Sequence, residues 1–384
     1  MALFFKWLFR IVTGLIALAV LSIYMAYYLG SRSLPDYNAT FQVDGISSPL
    51  EIARDTADVP HIFGETDADV FYGLGFAHAQ DRLFQMMLLR RTAQGKLSEV
   101  FGLRTKATDE LMRRLGVYEA AVASTSRQTP ETLAALQAYA RGVNAWIGEV
   151  NKGAMGRGAP EFFLFPAEIA YWQPQDSIAL LKLASLQLSD HISTEVLRAR
   201  TSLMLPPERV VDILPDAPGT PTAVLPEFAA LFPDAQKFVP ELDVDYAMAG
   251  FNPAPLGGAS NVWAATSARA ASGASLMAND PHLGFSAPGA WYLARIELQT
   301  GGVIGATIPG IPFIIAGRKE TLSWGITSAY TDDADLFIEQ VNPQAPDEVL
   351  TANGYKKMRS RPSILRIKDQ APETLKLQWT DNGP

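Results

Sequence analysis

Between Pro206 and Pro255 the chain places ten of its 26 prolines among short apolar pieces and scattered acidic residues. Proline fixes φ and has no amide hydrogen to donate, so neither a long helix nor a central strand can run through such a stretch. By composition it is a linker between two flanks. Long segments without regular structure are uncommon inside compact domains, so residues 205–259 read as a spacer, with an ordinary interdomain loop as the plain alternative.

The two flanks have different periods. Residues 41–63 alternate around Phe41, Val43, Leu50, Ile52 and Ile62, with Gly45 and Ser47-Ser48 as a turn, which predicts a strand pair. From Asp67 to about Ser202 the period is helical. Phe71, Leu74, Phe84, Met87, Leu88 and Leu89 fall on helix faces, as do Leu133, Leu136, Ala140 and Val143, and then Ile178, Leu181, Leu183 and Leu186. After Ser260, strands are predicted at 262–265, 275–278, 290–299, 303–307, 313–316 and 323–327, nearly all separated by turn residues. Pattern alone thus indicates an α+β chain with antiparallel sheets, mostly helical over 36–204 and strand-rich over 260–384. It contains no internal repeat and no low-complexity tract.

With 384 residues, 48% of them hydrophobic and 19% charged, the chain can bury a large core. A net charge of -8 and a pI near 5.2, without a basic stripe, exclude a general nucleic-acid binder. The absence of cysteine excludes disulfides, thiolate metal sites and cysteine nucleophiles. Residues 1–35 form a separate segment, because the run from Ile11 to Ser31 carries no charge and is long enough to span a bilayer. Lys6 and Arg10 precede it and Tyr24, Tyr27 and Tyr28 lie near its far end, the arrangement of an anchor whose N-terminus stays in the cytoplasm. The expectation is a body anchored to the membrane and facing the periplasm or exterior. A cleaved signal that exports it to the periplasm is the alternative, and a buried globular helix the bland one.

The junction between spacer and strands carries the chemistry. Gly257-Gly258-Ala259-Ser260-Asn261-Val262-Trp263 delivers a serine through tiny residues to the start of an apolar strand. A serine hydroxyl needs a base to take its proton, and an α-amino group, with a pKa of about 7.7 to 8.0, is such a base at neutral pH. Cleavage before Ser260 would create one; the plain reading of the same residues is a serine in a glycine-rich turn. A second polar block, Asn279-Asp280-Pro281-His282-Leu283, directly follows another apolar strand. His282 beside Asp280 also permits a conventional serine triad, or a merely structural histidine. His61, His78 and His191 are assigned no chemistry.

Taken in order, Ser260-Asn261-x-Trp263, Asn279-Asp280-Pro281-His282, Ser323-Trp324-Gly325 and Asp332-Asp333-Ala334-Asp335 resemble the penicillin acylase (penicillin amidase) family of N-terminal nucleophile hydrolases. The likeness extends upstream through Arg54-Asp55, Pro60-His61-Ile62, the block from Gly75 to Met86 and Arg90-Arg91-Thr92-Ala93-Gln94-Gly95, and covers nearly everything beyond residue 45. It implies an αββα four-layer sandwich and a self-processing amidase with a small-molecule N-acyl amide as substrate. The two working chains would come from one precursor, an α-like chain before the spacer and a β-like chain after it.

By the same resemblance Ser260 is the nucleophile, His282 orients its amine, and the backbone N–H of Ser328 is one oxyanion donor. The family's second donor, an Asn side chain, falls beyond Pro384, and Gln378 to Pro384 resemble a family segment that continues into more sheet, so the chain is expected to be truncated. The resemblance also implies a calcium ion held by Glu195, Asp332 and Asp335 with the carbonyl of Ala334, against a solvated acidic loop, and no organic cofactor. Leu188, Leu283 and Ala316 stand where relatives place acyl-pocket residues. Their modest size suggests a roomy apolar cavity, open to long acyl chains such as those of acyl-homoserine lactones, though core packing explains them equally. From another class, a catalytically incomplete, membrane-tethered binding or scaffold protein is the alternative.

Overall fold

The computed structural model describes residues 1–152, 158–188, 191–202, 204–213, 260–284, 286–327 and 334–384. Its helices are α1 (Ala2–Ser31), α2 (Asp67–Gln94), α3 (Ser98–Phe101), α4 (Lys106–Leu115), α5 (Val117–Thr125), α6 (Pro130–Asn151), α7 (Glu161–Leu164), α8 (Pro174–Leu188), α9 (His191–Ser202) and α10 (Pro207–Ile213). Its strands are β1 (Glu51–Arg54), β2 (Pro60–Phe63), β3 (Ser260–Ala265), β4 (Leu276–Pro281), β5 (Tyr292–Leu298), β6 (Gly301–Thr307), β7 (Ala316–Arg318), β8 (Ser323–Trp324), β9 (Val341–Asn342), β10 (Ala345–Thr351), β11 (Gly354–Lys357), β12 (Arg359–Leu365) and β13 (Glu373–Trp379). The chain is a mixed helix and sheet protein, as its periodicity predicts. Of the proline-rich segment only residues 205–213 are described, with α10 opening on Pro207.

The residues group into two compact units. One comprises Met1–Leu88, Gln128–Ser177 and Trp291–Ile314, the other Leu89–Arg127, Ile178–Ala290 and Ile315–Pro384.

In the first unit β1, β2, β5 and β6 form consecutive strands of a sheet. β1 and β2 pair antiparallel, as do β5 and β6, but β2 runs parallel to β5 with Ile62 opposite Ile296. That parallel pair is a departure from the antiparallel expectation, and the separation between the two strands in sequence explains it: a hairpin forces antiparallel pairing, a long excursion does not. The strand pair is also shorter than the alternation from residue 41 suggests. Phe41 instead packs its ring 5.3 Å from that of Phe76 and 6.0 Å from that of Trp146, so its apolar side chain serves a helix surface. Likewise 313–316 was expected as a strand, whereas β7 starts only at Ala316. Ile311 and Ile314 are buried in the turn before it, and burial without pairing produces the same apolar signature.

α2 and α6 cross so closely that glycine is required at the contact. A Cβ on Gly75 would lie 2.2 Å from the Tyr139 carbonyl oxygen, and one on Gly142 would lie 1.9 Å from that of Tyr72. Around this crossing Leu74, Ala77, Tyr139, Val143, Trp146 and Ile147 are buried. α2 starts with Thr66 Oγ1 accepting the Asp69 N–H at 3.1 Å, and the Asp69 carboxylate in turn accepts the Ser47 N–H at 2.8 Å and the Ser47 and Thr66 hydroxyls. Burial opposes ionisation there, but these bonds from Ser47 and Thr66 hold Asp69 below the ordinary carboxylate value.

Farther along α2, Asp81 meets Arg54 of β1 in a two-pronged ion pair, Nη1 to Oδ2 at 2.9 Å and Nη2 to Oδ1 at 3.1 Å. Only 9% and 11% of the two side chains is exposed. The Tyr37 hydroxyl donates to Asp81 Oδ1 at 3.0 Å and the Tyr292 hydroxyl to Oδ2 at 2.6 Å, while the Arg54 guanidinium lies 3.9 Å from the centre of the Tyr37 ring. Burial, reinforced by the Asp81 charge, pushes Tyr37 up to about 12 and Tyr292 well above the usual tyrosine range, so both hydroxyls stay protonated as donors.

One turn before Asp81, His78 is wholly buried. Tyr139 Oη accepts the Gly310 N–H at 2.8 Å and shares a hydrogen bond with His78 Nδ1 at 2.7 Å. The imidazole lies edge-on to the Tyr292 ring with centroids 4.7 Å apart. Burial pushes its pKa down to about 3.

The second unit holds Asp109 of α4 buried beneath the start of α3, where it accepts the Leu97 and Ser98 N–H groups at 2.8 and 2.7 Å. On the same helix Arg113 donates to the Ile364 carbonyl at 2.6 Å and Lys106 to Glu373 at 2.6 Å, which fastens α4 to the β12–β13 hairpin. β9, β10 and β11 form a separate three-stranded sheet, and β3 pairs with β4, and β7 with β8, antiparallel.

α1 is exposed along its length, 30 residues or about 45 Å at about 1.5 Å per residue. Its mean hydropathy of 2.1 makes it long and apolar enough to cross a bilayer.

Two expectations follow. Gly75→Ala and Gly142→Ala should each destabilise by about 1–3 kcal/mol, because helix backbones must part to admit one methyl, read from denaturant midpoints. His78 is neutral when folded but takes a proton below about 6.5 when unfolded. Stability should therefore be full above pH 7 and decline by up to about 1.4 kcal/mol per unit as pH falls below 6, a slope that His78→Gln should flatten.

Candidate functional site

Ser260 opens β3, and the antiparallel register sets its surroundings. Ser260 lies opposite Pro281, Asn261 opposite Asp280 and Val262 opposite Asn279. His282 is thus the residue immediately beyond the position facing Ser260. Its Nε2 lies 3.1 Å from Asp280 Oδ2, two residues back along the same strand direction, and 44% of its side chain is exposed. The structure joins His282 to Asp280, the partner of a triad reading, yet this carboxylate is itself 73% exposed, unlike the buried orienting carboxylate a triad uses.

The sharpest geometry belongs to Asn279, whose role the sequence reasoning left unassigned. Its Nδ2 donates to the Asn261 carbonyl at 3.1 Å and to the Ile326 carbonyl at 3.0 Å, and its Oδ1 accepts the Ile326 N–H at 3.0 Å. One side-chain amide therefore ties β3 to the segment after β8. Gly325 makes room for it, since a Cβ there would stand 2.8 Å from Asn279 Oδ1 and 2.9 Å from its Cβ and Cγ. Beside it the Thr327 hydroxyl donates to the Ser260 carbonyl at 3.0 Å. A signal existed in the sequence: asparagine is a poor strand former, so its place inside an apolar strand calls for side-chain bonds that repay it.

Ser328 and Asp332 lie outside the described residues, as does the segment from 214 to 259. The backbone leading to Ser328 is nonetheless fixed on its N-terminal side by the Asn279 and Thr327 bonds. Of the remaining expected calcium ligands, Glu195 Oε1 lies 3.8 Å from Arg198 Nε within α9, Ala334 is half-buried and Asp335 exposed. Among the described residues no three His, Asp or Glu side chains converge. The expected set consists of oxygen donors only, carboxylates and one carbonyl, which is the chemistry of a hard cation such as calcium.

The expected pocket residues differ in burial. Leu188, at the end of α8, is exposed, Ala316 starts β7 half-buried, and half-buried Leu283 donates its N–H to the Pro281 carbonyl at 3.0 Å in a tight turn beyond β4. The β12–β13 end of the second unit has a cavity of about 530 Å³ lined by Val349, Met358 and Trp379 among others, and the first unit one of about 670 Å³ beside Phe162 and Tyr171. None of the three expected residues lines either cavity.

Gly325→Ala should push the Asn279 amide away from the Ile326 N–H. Hydrogen exchange at Ile326 is expected to quicken roughly tenfold, the equivalent of one lost hydrogen bond of about 1.4 kcal/mol.

The Penicillin amidase family pattern matches residues 49–384. The penicillin acylase 2 proenzyme of Pseudomonas sp. (strain SE83) is 32% identical over 368 residues, covering 92% of this chain and 45% of that protein. The acyl-homoserine lactone acylase QuiP of Pseudomonas aeruginosa is 30% identical over 363 residues, 92% of this chain and 42% of that protein. The penicillin G acylase of Escherichia coli is 30% identical over 388 residues, 88% of this chain and 45% of that protein. The chain spans less than half the length of these curated relatives.

Proposed function

The chain belongs to the penicillin amidase family, and we propose that it is a self-processing amidase whose nucleophile is Ser260. The observation that carries this reading is the β3–β4 register, which sets Ser260 opposite Pro281 with His282 next to it, while Thr327 bonds the Ser260 carbonyl. In the proposed cycle, hydrolysis of the Ala259–Ser260 peptide adds water across the bond, leaving Ala259 as a carboxylate and freeing the α-amine of Ser260. Ser260 Oγ attacks the carbonyl of an N-acyl amide as that amine takes its proton, directly or through water. The Ser328 N–H stabilises the oxyanion, a donor worth roughly 3 kcal/mol when preorganised. The amine product leaves with the proton, and water releases the acid from the acyl-enzyme.

His282 orients the new amine in this scheme, which requires it to give up or share its bond to Asp280. The αββα sandwich of the family is the proposed frame, with residues before the spacer forming the α-like chain. Calcium, held by Glu195, Asp332, Asp335 and the Ala334 carbonyl, would bind the two chains together; it supplies charge neutralisation among carboxylates and takes no part in the reaction. α1 is proposed as a membrane anchor or export signal that puts the body in the periplasm or outside the cell, supported by its length and apolar composition.

For the acyl group, Leu188, Leu283 and Ala316 are proposed as pocket residues. A second substrate reading, acyl-homoserine lactones, is favoured by the acyl-homoserine lactone acylase among the relatives at nearly the same identity as the penicillin acylases. Both readings share the chemistry of amide hydrolysis.

Intact mass spectrometry of the full-length protein tests the central step. The wild type should yield a fragment starting at Ser260, and Ser260→Ala should remain one chain and be inactive. Active, uncleaved wild type would refute the scheme. Chelation tests the metal: removing a cation present at a hundred times its Kd withdraws about 2.7 kcal/mol, so the melting temperature should fall and recover with added calcium.

A further inference from the structure

We propose that Asn279 and Thr327 are positioning residues for the Ser260 reaction, fixing the nucleophile strand and the segment that leads to the Ser328 N–H in a single geometry. This rests on the reading of Ser260 as nucleophile and specifies how its site is held. Three bonds of the Asn279 amide reach two separate stretches of backbone, Asn261 on one side and Ile326 on the other. Thr327 adds a direct bond from the second stretch to the carbonyl of Ser260 itself. Among the described residues β3 and β8 belong to different sheets, β3 pairing with β4 and β8 with β7. Side chains therefore make the junction that backbone pairing makes elsewhere in these sheets.

The chemistry of the amide makes the contact specific. Its NH₂ faces two carbonyls and its oxygen faces an N–H, so only a group with two donors on one atom and an acceptor on the next serves all three. Aspartate has the same shape but turns an acceptor toward both carbonyls. Valine in place of Thr327 keeps the branched shape and loses only the donor. Gly325 is required because any Cβ would collide with the Asn279 side chain. Neither Asn279 nor Thr327 touches the reacting atoms in this scheme, and both act through backbone that does. An error of about 1 Å in such a frame costs on the order of 10²-fold in rate.

The test uses the full-length protein, Asn279→Asp, Thr327→Val and Ser260→Ala, with p-nitroanilides of phenylacetic, glutaric and decanoic acids as substrates. Turnover is normalised to the fraction of molecules whose second chain starts at Ser260, counted by mass spectrometry. The expected result is a fall in kcat on the order of 10²-fold for Asn279→Asp and roughly tenfold for Thr327→Val, with KM within about twofold of wild type. Loss of self-processing in a variant that still melts cooperatively is the same result one step earlier. A merely structural role would lower the melting temperature and leave normalised kcat at the wild-type value, and that outcome overturns the proposal. If Asn279→Asp yields no folded protein, Thr327→Val alone decides it, since wild-type kcat in that variant is equally fatal. Hydrolysis that persists in Ser260→Ala would instead sink the nucleophile reading on which the proposal stands.

Discussion

One carboxamide holds the candidate site in shape. The Asn279 side chain substitutes for a strand ladder, linking β3 to the backbone beyond β8 through groups that no sheet hydrogen bond reaches. Each such bond is worth only about 1 kcal/mol net, and Ile326 is exposed, so the energy of any one of them is modest. The amide is therefore best understood as a geometric constraint: one planar group, with its donors and its acceptor in fixed places, sets Asn261 and Ile326 relative to each other. Gly325 belongs to the same constraint, for the side chain reaches its partners only where no Cβ blocks the way.

The first unit solves a comparable problem with charge. Arg54 and Asp81 are both nearly buried, and the pair is tolerable because every strong donor has an acceptor: two prongs between guanidinium and carboxylate, two tyrosine hydroxyls on the carboxylate oxygens, and Gln80 Oε1 and the Asp58 carbonyl on the guanidinium. Removing one member of such a group strands a charge, which costs about 3–5 kcal/mol, whereas the intact pair adds little over a well-packed apolar one. Its contribution is to specify geometry. It draws the segment around Tyr37, β1, α2 and β5 to one point, immediately beyond the glycine-lined crossing of α2 and α6.

Much of this was legible in the sequence, and the failures have physical causes. Helical and strand periods identified α2, α6, α8 and β5, which bury one face over several residues, and also β3, β4 and β6, whose residues are half-buried or exposed apart from Thr307. Phe41 and the 313–316 stretch misled, since an apolar residue packed by a loop or against a helix writes the same letters as one buried by a strand. The parallel pairing of β2 with β5 was invisible because it depends on where a distant segment returns. At the site, Ser260 and His282 stood out by residue type and order, but Asn279, Gly325 and Thr327 did not. Their contribution is a set of side-chain to backbone bonds, and a backbone acceptor has no letter of its own. Ser328 and Asp332 remain readings of the sequence alone.

The placement of the site's bonds relative to the proposed scission has a consequence for how such a site could form. The carbonyls that accept from Thr327 and Asn279 belong to Ser260 and Asn261, on the C-terminal side of the Ala259–Ser260 peptide. Breaking that peptide removes none of them. The frame that would hold Ser260 for catalysis is thus complete while the chain is still unbroken, and the same frame would hold the hydroxyl near the peptide to be cut. On the Ser260 side, cleavage turns the nitrogen from an amide without basicity into an amine that ionises near neutral pH. A site built this way needs no rearrangement of its backbone to pass from processing to hydrolysis, only the exchange of the His282 hydrogen bond from the exposed Asp280 carboxylate to the new amine.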